Sequence, residues 1–273
     1  MNKTILITGT SSGIGKAAAK FFHEQGWNVI ATMRTPEKET ELTQLDRTLV
    51  TRLDVTDPDS IHNSVLEGIA KFGRIDVLVN NAGYGAFGPL EAFPMEKIRR
   101  QFDTNVIGLL EVTKAVIPHM RQNKAGTILN VSSVGGRMAF PLGALYHGTK
   151  FAVEGISEAL QFEFAACGIK VKVIEPGGIK TDFSGRSFDF TNDDSIEEYQ
   201  QTVSAVQNAF SSLTDVNAAP AVEVAEVMLK AINDDSNELR YPAAGGAETF
   251  LEHRTSNDDP AYFAGTKAMF GLT

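Results

Sequence analysis

The sequence predicts an α/β fold, with a doubly wound parallel sheet of about seven strands and helices on both faces. Short apolar runs alternate with segments of helical periodicity along most of the 273 residues. This alternation is typical of parallel strands joined by crossover helices. The connections are short, and the sequence contains no repeat of fixed period. We therefore expect residues 1–273 to form a single domain.

The individual elements follow from the length and spacing of the apolar runs. The expected strands are Thr4–Thr8, Asn28–Met33, Leu49–Leu53, Val77–Asn80, Thr127–Val131, Lys170–Glu175 and Glu238–Tyr241. The expected helices between them include Gly13–Gln25, Asp59–Phe72, Glu96–Met120, Ala144–Ala166 and Val222–Asn233.

Residues 182–220 interrupt this alternation. The segment begins with aromatic and acidic residues and continues as a helix with one apolar stripe. The stripe consists of Ile196, Tyr199, Val203, Val206, Phe210 and Leu213. Insertions of this length are often lids or binding segments, so we expect a variable substrate-binding lid. A helix that only covers the core would carry the same stripe.

Composition and charge exclude several classes of protein. The chain has 25 Lys and Arg residues against 34 Asp and Glu, a formal net charge of −9. This balance argues against nucleic acid or an anionic membrane as a partner. The one cysteine, Cys167, excludes an intrachain disulfide, and with five scattered histidines it leaves no zinc-type cluster, so we expect no metal. Without a leader or a membrane-spanning apolar run, we expect a cytoplasmic protein.

A glycine-rich turn follows the first strand. Gly9, Gly13 and Gly15 stand in the spacing G-x-x-x-G-x-G, immediately before a helix. Positions without side chains let a diphosphate approach backbone N–H groups, and the positive end of the helix dipole adds to its binding. The spacing differs from the usual G-x-G-x-x-G fingerprint, and a tight strand–helix turn without a ligand is the alternative. Its position in the first βα unit favours a dinucleotide site and a Rossmann-type sheet.

The ends of the next strands carry further candidate cofactor residues. An acidic residue at the end of the second strand would accept from the ribose 2′-hydroxyl of NAD, but Met33 and Arg34 stand there. An arginine suits the 2′-phosphate of NADP, so NADP(H) is favoured over NAD(H), unless Arg34 is only a solvated surface charge. Asp54, at the end of the third strand, could accept from an adenine amino group, or it could belong to the N-cap region of the helix near Asp57.

Three residues form a candidate catalytic set. Ser133 follows the fifth strand, and Tyr146 and Lys150 lie four residues apart on a predicted helix, so that their side chains share one face. A cation about 6 Å from a phenol stabilises the phenolate by roughly 3 kcal/mol at an effective dielectric constant near 20. We therefore expect Lys150 to lower the pKa of Tyr146, so that the phenol exchanges a proton near neutral pH. Tyrosine and lysine at this spacing also occur on many helices by chance.

Asn105 occupies a slot inside an otherwise apolar helical stripe. A buried amide costs roughly 1–3 kcal/mol unless it is hydrogen-bonded. Two compatible interpretations follow: it bonds to the backbone as a structural pin, or it holds a water molecule near the active site.

Together these residues resemble the short-chain dehydrogenase/reductase family, in its compact branch. The motifs occur in family order: Thr8-Gly9-(x)3-Gly13-Ile14-Gly15, Asp54, Asn80-Asn81-Ala82-Gly83, Asn105, Ser133, Tyr146-(x)3-Lys150, Pro176-Gly177 and Thr181. The stretches Asn81–Glu91 and Tyr146–Gly155 are similar to the steroid- and retinol-dehydrogenase-like branch. The resemblance thins beyond Thr181.

The resemblance implies a role for each matched residue. Tyr146 would be the general acid/base, Ser133 would orient the carbonyl, Lys150 would also bind the nicotinamide ribose, and Asn105 would hold a proton-relay water. The implied cofactor-binding residues are Gly9, Ser11, Ser12, Gly13, Ile14, Gly15, Arg34, Asp54, Val55, Asn81, Ala82, Gly83, Tyr146, Lys150, Pro176, Gly177, Ile179 and Thr181. Ser12 departs from many NADP-preferring relatives, which carry a basic residue there, so the cofactor preference depends on Arg34 alone.

The implied activity is NAD(P)(H)-dependent oxidoreduction, in which hydride transfer interconverts a hydrophobic ketone or aldehyde and an alcohol. Tyr84, Met138 and Phe183 are expected to line the substrate pocket together with Ser133 and Tyr146. A non-catalytic NADP(H)-sensing or scaffold protein on the same fold is the alternative, although a sensor would not need the Ser–Tyr–Lys set. An epimerase or dehydratase of the extended branch is disfavoured by the glycine spacing.

The predicted catalytic helix carries a second face of apolar and small residues. That face consists of Phe151, Gly155, Ala159, Phe162 and Ala166. A helix that is apolar on two sides needs two neighbours, so we expect a homodimer or homotetramer.

Overall fold

A computed structural model describes residues 2–181, 185–216 and 218–272, with the backbone alone for 210–216. Within this part of the chain, seven strands form one parallel sheet. They are β1 (Thr4–Thr8), β2 (Asn28–Met33), β3 (Thr48–Arg52), β4 (Val77–Asn80), β5 (Gly126–Val131), β6 (Ile169–Pro176) and β7 (Arg240–Ala243). Their spatial order is β7-β6-β5-β4-β1-β2-β3, so the strand order reverses between β1 and β4. The predicted doubly wound Rossmann-type fold is confirmed.

Helices cover both faces of the sheet. They are α1 (Gly13–Glu24), α2 (Pro58–Phe72), α3 (Met95–Phe102), α4 (Gly108–Asn123), α5 (Ala144–Ala165), α6 (Glu197–Val216), α7 (Ala221–Asn233), α8 (Ala247–Thr255) and α9 (Asp259–Met269). Short 3₁₀ turns lie at Pro36–Lys38, Leu42–Gln44, Leu90–Ala92 and Val134–Gly136.

Each face of the sheet has its own apolar core. On one face, Phe22 of α1 and Met228 of α7 pack against Ile7 of β1. On the other face, Val65 of α2 and Val116 of α4 belong to a second cluster, which also includes residues of β4 and β5. The strands are therefore buried on both sides, which explains why they read as continuous apolar runs.

The helix expected over Glu96–Met120 is interrupted in the structure. A π-helical turn, Asp103–Ile107, separates α3 from α4, and Asn105 lies within it. Single π turns inside α-helices are rare and are frequent at functional sites. The apolar stripe continues through the turn, so the spacing alone did not reveal the break.

The segment after Thr181 contains more structure than one helix. Phe188–Phe190 pairs with Gly85–Phe87, and Ala219–Pro220 pairs with Ile179–Lys180, in two small parallel ribbons. The expected apolar stripe lies on α6, where Val203 and Val206 are buried. Phe183 lies outside the described residues, and the side chains of Phe210 and Leu213 are not among those described.

The C-terminal helices α8 and α9 were not expected from the sequence. They pack on the loop that follows β5, where Leu251 and Tyr262 join a small cluster with Val134 and Met138. The Tyr262 hydroxyl accepts from the N–H of Ala139 (2.9 Å) and donates to its carbonyl oxygen (2.7 Å). Among the residues that the structure describes, no helix is both long enough and apolar enough to cross a bilayer.

Candidate active site

A cleft of about 1360 Å³ opens at the carboxyl ends of the strands, where the strand order reverses. Open α/β sheets bind ligands at this position. The volume exceeds the range of about 300–1,000 Å³ that is typical of sites for one small molecule. The cleft therefore has room for two ligands side by side.

The glycine turn forms one wall of the cleft. Gly9 and Gly13 have positive φ angles of 73° and 56°, a conformation that is costly for residues with a side chain. Ser11, Ser12, Gly13 and Ile14 line the cleft at the start of α1. Backbone N–H groups at a helix start suit an anionic ligand. This wall therefore fits a diphosphate.

Gly15 lies beneath the turn and does not line the cleft, contrary to the expected direct contact. A Cβ atom at Gly15 would clash with the carbonyl oxygen of Gly9 and would lie 2.5 Å from Asn81 Nδ2. The physical reason is close packing, since α1 passes directly under the turn that it supports. Gly15 thus allows α1 to pack closely against the turn that forms the wall.

The remaining cofactor candidates extend across the strand ends. Arg34 is exposed after β2 and lines the cleft. Asp54 also lines it and accepts hydrogen bonds from the N–H (3.0 Å) and the hydroxyl (2.8 Å) of Thr56. The N-cap of α2 is Asp57, whose side chain accepts from the N–H of Ser60. The backbone of Asp54 is also hydrogen-bonded to the Ser60 hydroxyl in the first turn of α2, so Asp54 belongs to the N-cap region without being the N-cap, and its contact with adenine stays a prediction.

Asn81 connects the two central strands. Its Nδ2 donates to the carbonyl oxygens of Thr8 (2.8 Å) and Gly9 (3.3 Å). The amide thereby holds the end of β4 against the glycine turn. The other expected cofactor residues that line the cleft are Val55, Ala82, Gly83, Pro176, Gly177, Ile179 and Thr181.

Ser133, Tyr146 and Lys150 come together at the far end of the cleft. Ser133 caps the 3₁₀ turn after β5 and accepts from the N–H of Gly135 (3.0 Å). Its hydroxyl is hydrogen-bonded to Tyr146. Lys150 lies one turn further along α5, with Nζ 5.9 Å from the centre of the Tyr146 ring, and Nζ donates to the carbonyl oxygen of Val131 (2.8 Å). The helical spacing therefore places the pair on one face.

The pKa of Tyr146 differs from the expectation. Burial raises it above its usual range, with a smaller opposing effect from the hydrogen bond with Ser133. The direction is opposite to the expected lowering by Lys150, because burial disfavours the phenolate more than the neighbouring groups stabilise it. The same burial lowers the pKa of Lys150 to about 8, against the opposing charge of Glu154. At neutral pH the structure thus holds a neutral phenol beside an ammonium group.

Asn105 is a structural pin. Its Nδ2 donates to the carbonyl oxygen of Tyr84 (2.9 Å) and to Thr149 Oγ1 (3.1 Å), and its Oδ1 accepts from the N–H of Tyr84 (3.1 Å). These bonds fix the segment after β4 against α5. Asn105 does not line the cleft, and its expected relay role stays a prediction.

His147, the neighbour of Tyr146, holds the loop that follows β5. Its Nε2 accepts from the N–H of Phe140 (2.9 Å), and its Nδ1 lies 2.9 Å from the carbonyl oxygen of Gly135. Burial lowers the pKa of His147 to about 4. The ring is therefore neutral at physiological pH, with its proton on Nδ1, and it serves as a structural clamp.

Two groups of aromatic rings flank Tyr146. The Phe87 ring lies 5.2 Å from that of Tyr146 and stacks on Phe188, which stacks in turn on Phe190. Across the cleft, Phe140 contacts Phe250 (5.9 Å) and Phe270 (5.8 Å). Aromatic rings therefore line both sides of the cleft at this end. Tyr84 lines it as expected.

Sequence reasoning placed one pocket residue wrongly and missed others. Met138 is 1% exposed and packs against α8 and α9, because the turn at Val134–Gly136 directs it away from the cleft. Phe87, Phe250 and Phe270 were missed. A weak signal existed for Phe87, which lies four residues after Gly83 in the stretch that resembles the retinol branch. Phe250 and Phe270 lie where that resemblance has ended.

Comparison with known proteins identifies the family of this chain. The model of a family described as short chain dehydrogenase matches residues 3–192. An uncharacterized oxidoreductase of Schizosaccharomyces pombe is 43% identical over 242 residues, which cover 88% of this chain and 100% of that protein. Retinol dehydrogenase 8 of Bos taurus is 34% identical over 256 residues, 87% of this chain and 80% of the relative. The solved structure of ElxO with NADP bound is 31% identical, covers 91% of this chain and 100% of that chain, and has a TM-score of 0.73.

No group of three or more His, Cys, Asp or Glu residues that could hold a metal ion is present in the described ranges.

Proposed function

The chain belongs to the short-chain dehydrogenase family, and from this premise we propose that it is an NADP(H)-dependent carbonyl reductase for hydrophobic ketones or aldehydes. The observation that carries the proposal is the neutral Tyr146 phenol, hydrogen-bonded to Ser133 and next to the Lys150 ammonium group, at the aromatic end of a cleft lined by a glycine turn. A dinucleotide fits this cleft, because its wall is built from residues that leave backbone N–H groups uncovered. When bound, the cofactor supplies the hydride.

Each member of the catalytic set has one task in this proposal. Ser133 holds the carbonyl oxygen, and Tyr146 donates its proton to that oxygen during reduction. A raised pKa keeps the phenol protonated at neutral pH, so it suits proton donation better than proton removal. Lys150 holds the nicotinamide ribose, and Asn105 positions the water molecule that returns a proton through Lys150.

Each group of cofactor residues is proposed to bind one part of the dinucleotide. Gly9, Ser11, Ser12, Gly13 and Ile14 take the diphosphate, with Gly15 supporting them from below. Arg34 takes the 2′-phosphate, and Asp54 and Val55 take the adenine. The residues for the ribose and nicotinamide portions are Asn81, Ala82, Gly83, Tyr146, Lys150, Pro176, Gly177, Ile179 and Thr181. That the solved structure of ElxO has NADP bound supports the choice of cofactor.

The preference for NADP(H) is testable at Arg34. We expect Arg34→Ala to weaken NADPH binding about 10- to 100-fold and to leave NADH binding nearly unchanged, because a charge-assisted bond to a phosphate contributes about 1.5–3 kcal/mol. Fluorescence titration of the two cofactors measures both effects. Lys38→Ala is the matched control, since Lys38 is an exposed cation nearby that does not line the cleft. Equal weakening of NADH and NADPH by Arg34→Ala would contradict the assignment.

The substrate proposal rests on the aromatic walls of the cleft. Phe87, Phe140 and Phe188 offer apolar surface on both sides of Tyr146, and a relative bears the name retinol dehydrogenase. We propose that segment 182–220 acts as the lid and that Tyr84 and Phe183 take part in substrate binding. The whole chain, 1–273, would act as one catalytic domain located in the cytoplasm.

The exposed face of α5 supports the proposal of a homodimer or homotetramer. Phe151 and Phe162 are 48% and 79% exposed, and phenylalanines in such positions commonly mark an interface. We expect light scattering at micromolar concentration to give two or four times the monomer mass. A monomeric mass would refute the proposal.

A panel of hydrophobic ketones and aldehydes with NADPH, followed at the nicotinamide absorbance, tests the proposed function. Turnover of at least one member is expected. Tight NADPH binding without turnover of any member would favour a sensing or scaffold protein instead, an alternative that the comparisons do not support.

A further inference from the structure

Two carboxylates are buried directly behind the catalytic lysine. Glu154 lies one helical turn after Lys150 on α5, and Glu175 lies near the end of β6. The side chains are 6% and 0% exposed, respectively. Burying two like charges together costs several kcal/mol unless cations or a shared proton compensate. The pair therefore needs an explanation beyond packing.

The charged groups around the pair compensate only in part. Arg137 Nη1 lies 3.2 Å from Glu175 Oε1, and Arg240 Nε lies 2.9 Å from Glu154 Oε2 and 4.0 Å from Glu175 Oε1. Arg240 also contacts the exposed Glu158. The charged groups that act on Glu175 are Glu154 from α5, Arg137 from the turn after β5 and Arg240 from β7, and Glu154 in turn acts on Lys150. Arg137 thus engages one oxygen of Glu175, and Arg240 engages one oxygen of each buried acid.

The second carboxylate oxygen of each acid lacks a hydrogen-bond donor. Glu154 Oε1, Glu175 Oε2 and the hydroxyl of Ser132 are buried without a hydrogen-bond partner among the described residues. Ser132 Oγ and Glu154 Oε1 border the same point, because a Cβ atom on Gly136 would clash with the first and would lie 3.1 Å from the second. Unpaired buried acceptors are rare. A proton on one of the carboxyls would provide the missing donor.

We propose that Glu154 and Glu175 hold one exchangeable proton between them behind Lys150, and that the loss of this proton keeps the Lys150 ammonium group charged at higher pH. On deprotonation the carboxyl O–H bond breaks and the proton passes to water at the Arg137 side, which is 35% exposed. The charge of the pair then changes from −1 to −2. The additional negative charge favours the cationic form of Lys150.

The electrostatics of the cluster support this effect on Lys150. Burial, followed by the charge of Glu154, raises the pKa of Glu175 to about 7, and the arginines oppose the shift. Burial lowers the pKa of Lys150 to about 8, and Glu154 opposes that shift. Both shifts bring these groups toward neutral pH, so the charge of the pair acts on Lys150 in the range where Lys150 itself exchanges its proton. Glu154 and Glu175 are positioning residues, which act on the reaction through the charge of Lys150.

The proton itself is tested without any activity. Infrared difference spectra of the full chain between about pH 5.5 and 8.5, with ¹³C-labelled glutamate to assign the band, should show a buried carboxylic acid that ionises near pH 7. The band should disappear in Glu175→Gln. Ionised carboxylates throughout this range in the wild-type chain would overturn the proposal. This measurement stands even if the proposed reductase activity fails.

The effect on Lys150 rests on the proposed function and is read from pH profiles. We expect Glu175→Gln and Glu154→Gln to move the alkaline limb of NADPH affinity and of carbonyl reduction about one pH unit lower. Glu158→Gln is the matched control, since it frees the same Arg240 without touching the buried pair, and its profile should match the wild type. Unchanged limbs in both Glu154→Gln and Glu175→Gln would also overturn the proposal.

Discussion

Tyr146→Phe should reduce turnover about 10³-fold, because the hydroxyl is the proposed proton donor and general acid catalysis contributes about 10²- to 10⁴-fold. The ring should keep its place, since the contact with Phe87 at 5.2 Å does not involve the hydroxyl. Affinity for NADPH should therefore stay within about twofold of the wild type, because the lost hydroxyl faces Ser133. Steady-state kinetics with a reducible ketone and a separate cofactor titration measure the two effects.

The matched control is Tyr241→Phe. The Tyr241 hydroxyl donates to Asp234 (2.8 Å), and Tyr241, on β7, does not line the cleft. Its removal should cost about 1 kcal/mol of stability and leave turnover unchanged. If Tyr146→Phe kept more than a tenth of wild-type turnover, another group would have to supply the proton, and the proposed mechanism would be wrong.

Gly15→Ala should have the second large effect, this time on the cofactor end. The new methyl group would clash with the Gly9 carbonyl oxygen and press on Asn81 Nδ2, which holds β4 against the turn. Backbone cannot yield as a side chain does, so we expect a loss of about 1–3 kcal/mol in the free energy of unfolding. NADPH affinity should fall at least tenfold because the turn is displaced. Chemical denaturation and cofactor titration measure these effects.

Gly155→Ala provides the comparison for a helical glycine. Within one subunit, no heavy atom beyond the local helix backbone lies within 4 Å of a Cβ at Gly155, so the substitution should stabilise α5 by up to about 1 kcal/mol. Gly155 lies on the proposed oligomer face of α5, so light scattering checks that the oligomer is kept. NADPH affinity should not change. Equal destabilisation by the two substitutions would show that helix context, and not the clash with Gly9, governs the effect at Gly15.

The sheet was predictable because its strands are buried on both faces. Runs such as Thr4–Thr8 and Asn28–Met33 contain few polar residues, and the structure gives both ranges unchanged. The last strand was misplaced, since Arg240–Ala243 begins two residues later than the expected Glu238. At the edge of the sheet only one neighbouring strand constrains the register, and the apolar signal is correspondingly weaker.

The candidate site was predictable where function requires a fixed local spacing. Tyr146 and Lys150 share a face because helical geometry alone requires it. Met138 was misassigned because its direction depends on a 3₁₀ turn that periodicity does not reveal. The pKa of Tyr146 was misjudged because the sequence shows the nearby cation but not the burial of both groups. The direction of a side chain and the pKa of a buried group both depend on the tertiary environment, which the sequence does not show.

The double hydrogen bond between Tyr262 and Ala139 ties the last helix to the loop behind Ser133. The cofactor end of the cleft comes from the stretch that the family model matches, whereas Phe250 and Phe270 follow β7 and lie beyond that stretch. The part of the chain beyond the family model thus contributes to only one end of the cavity. Sequence change confined to the 3′ end of the gene would therefore alter the wall formed by Phe250 and Phe270 and leave the glycine turn unchanged, provided that the hydrogen bonds between Tyr262 and Ala139 are kept.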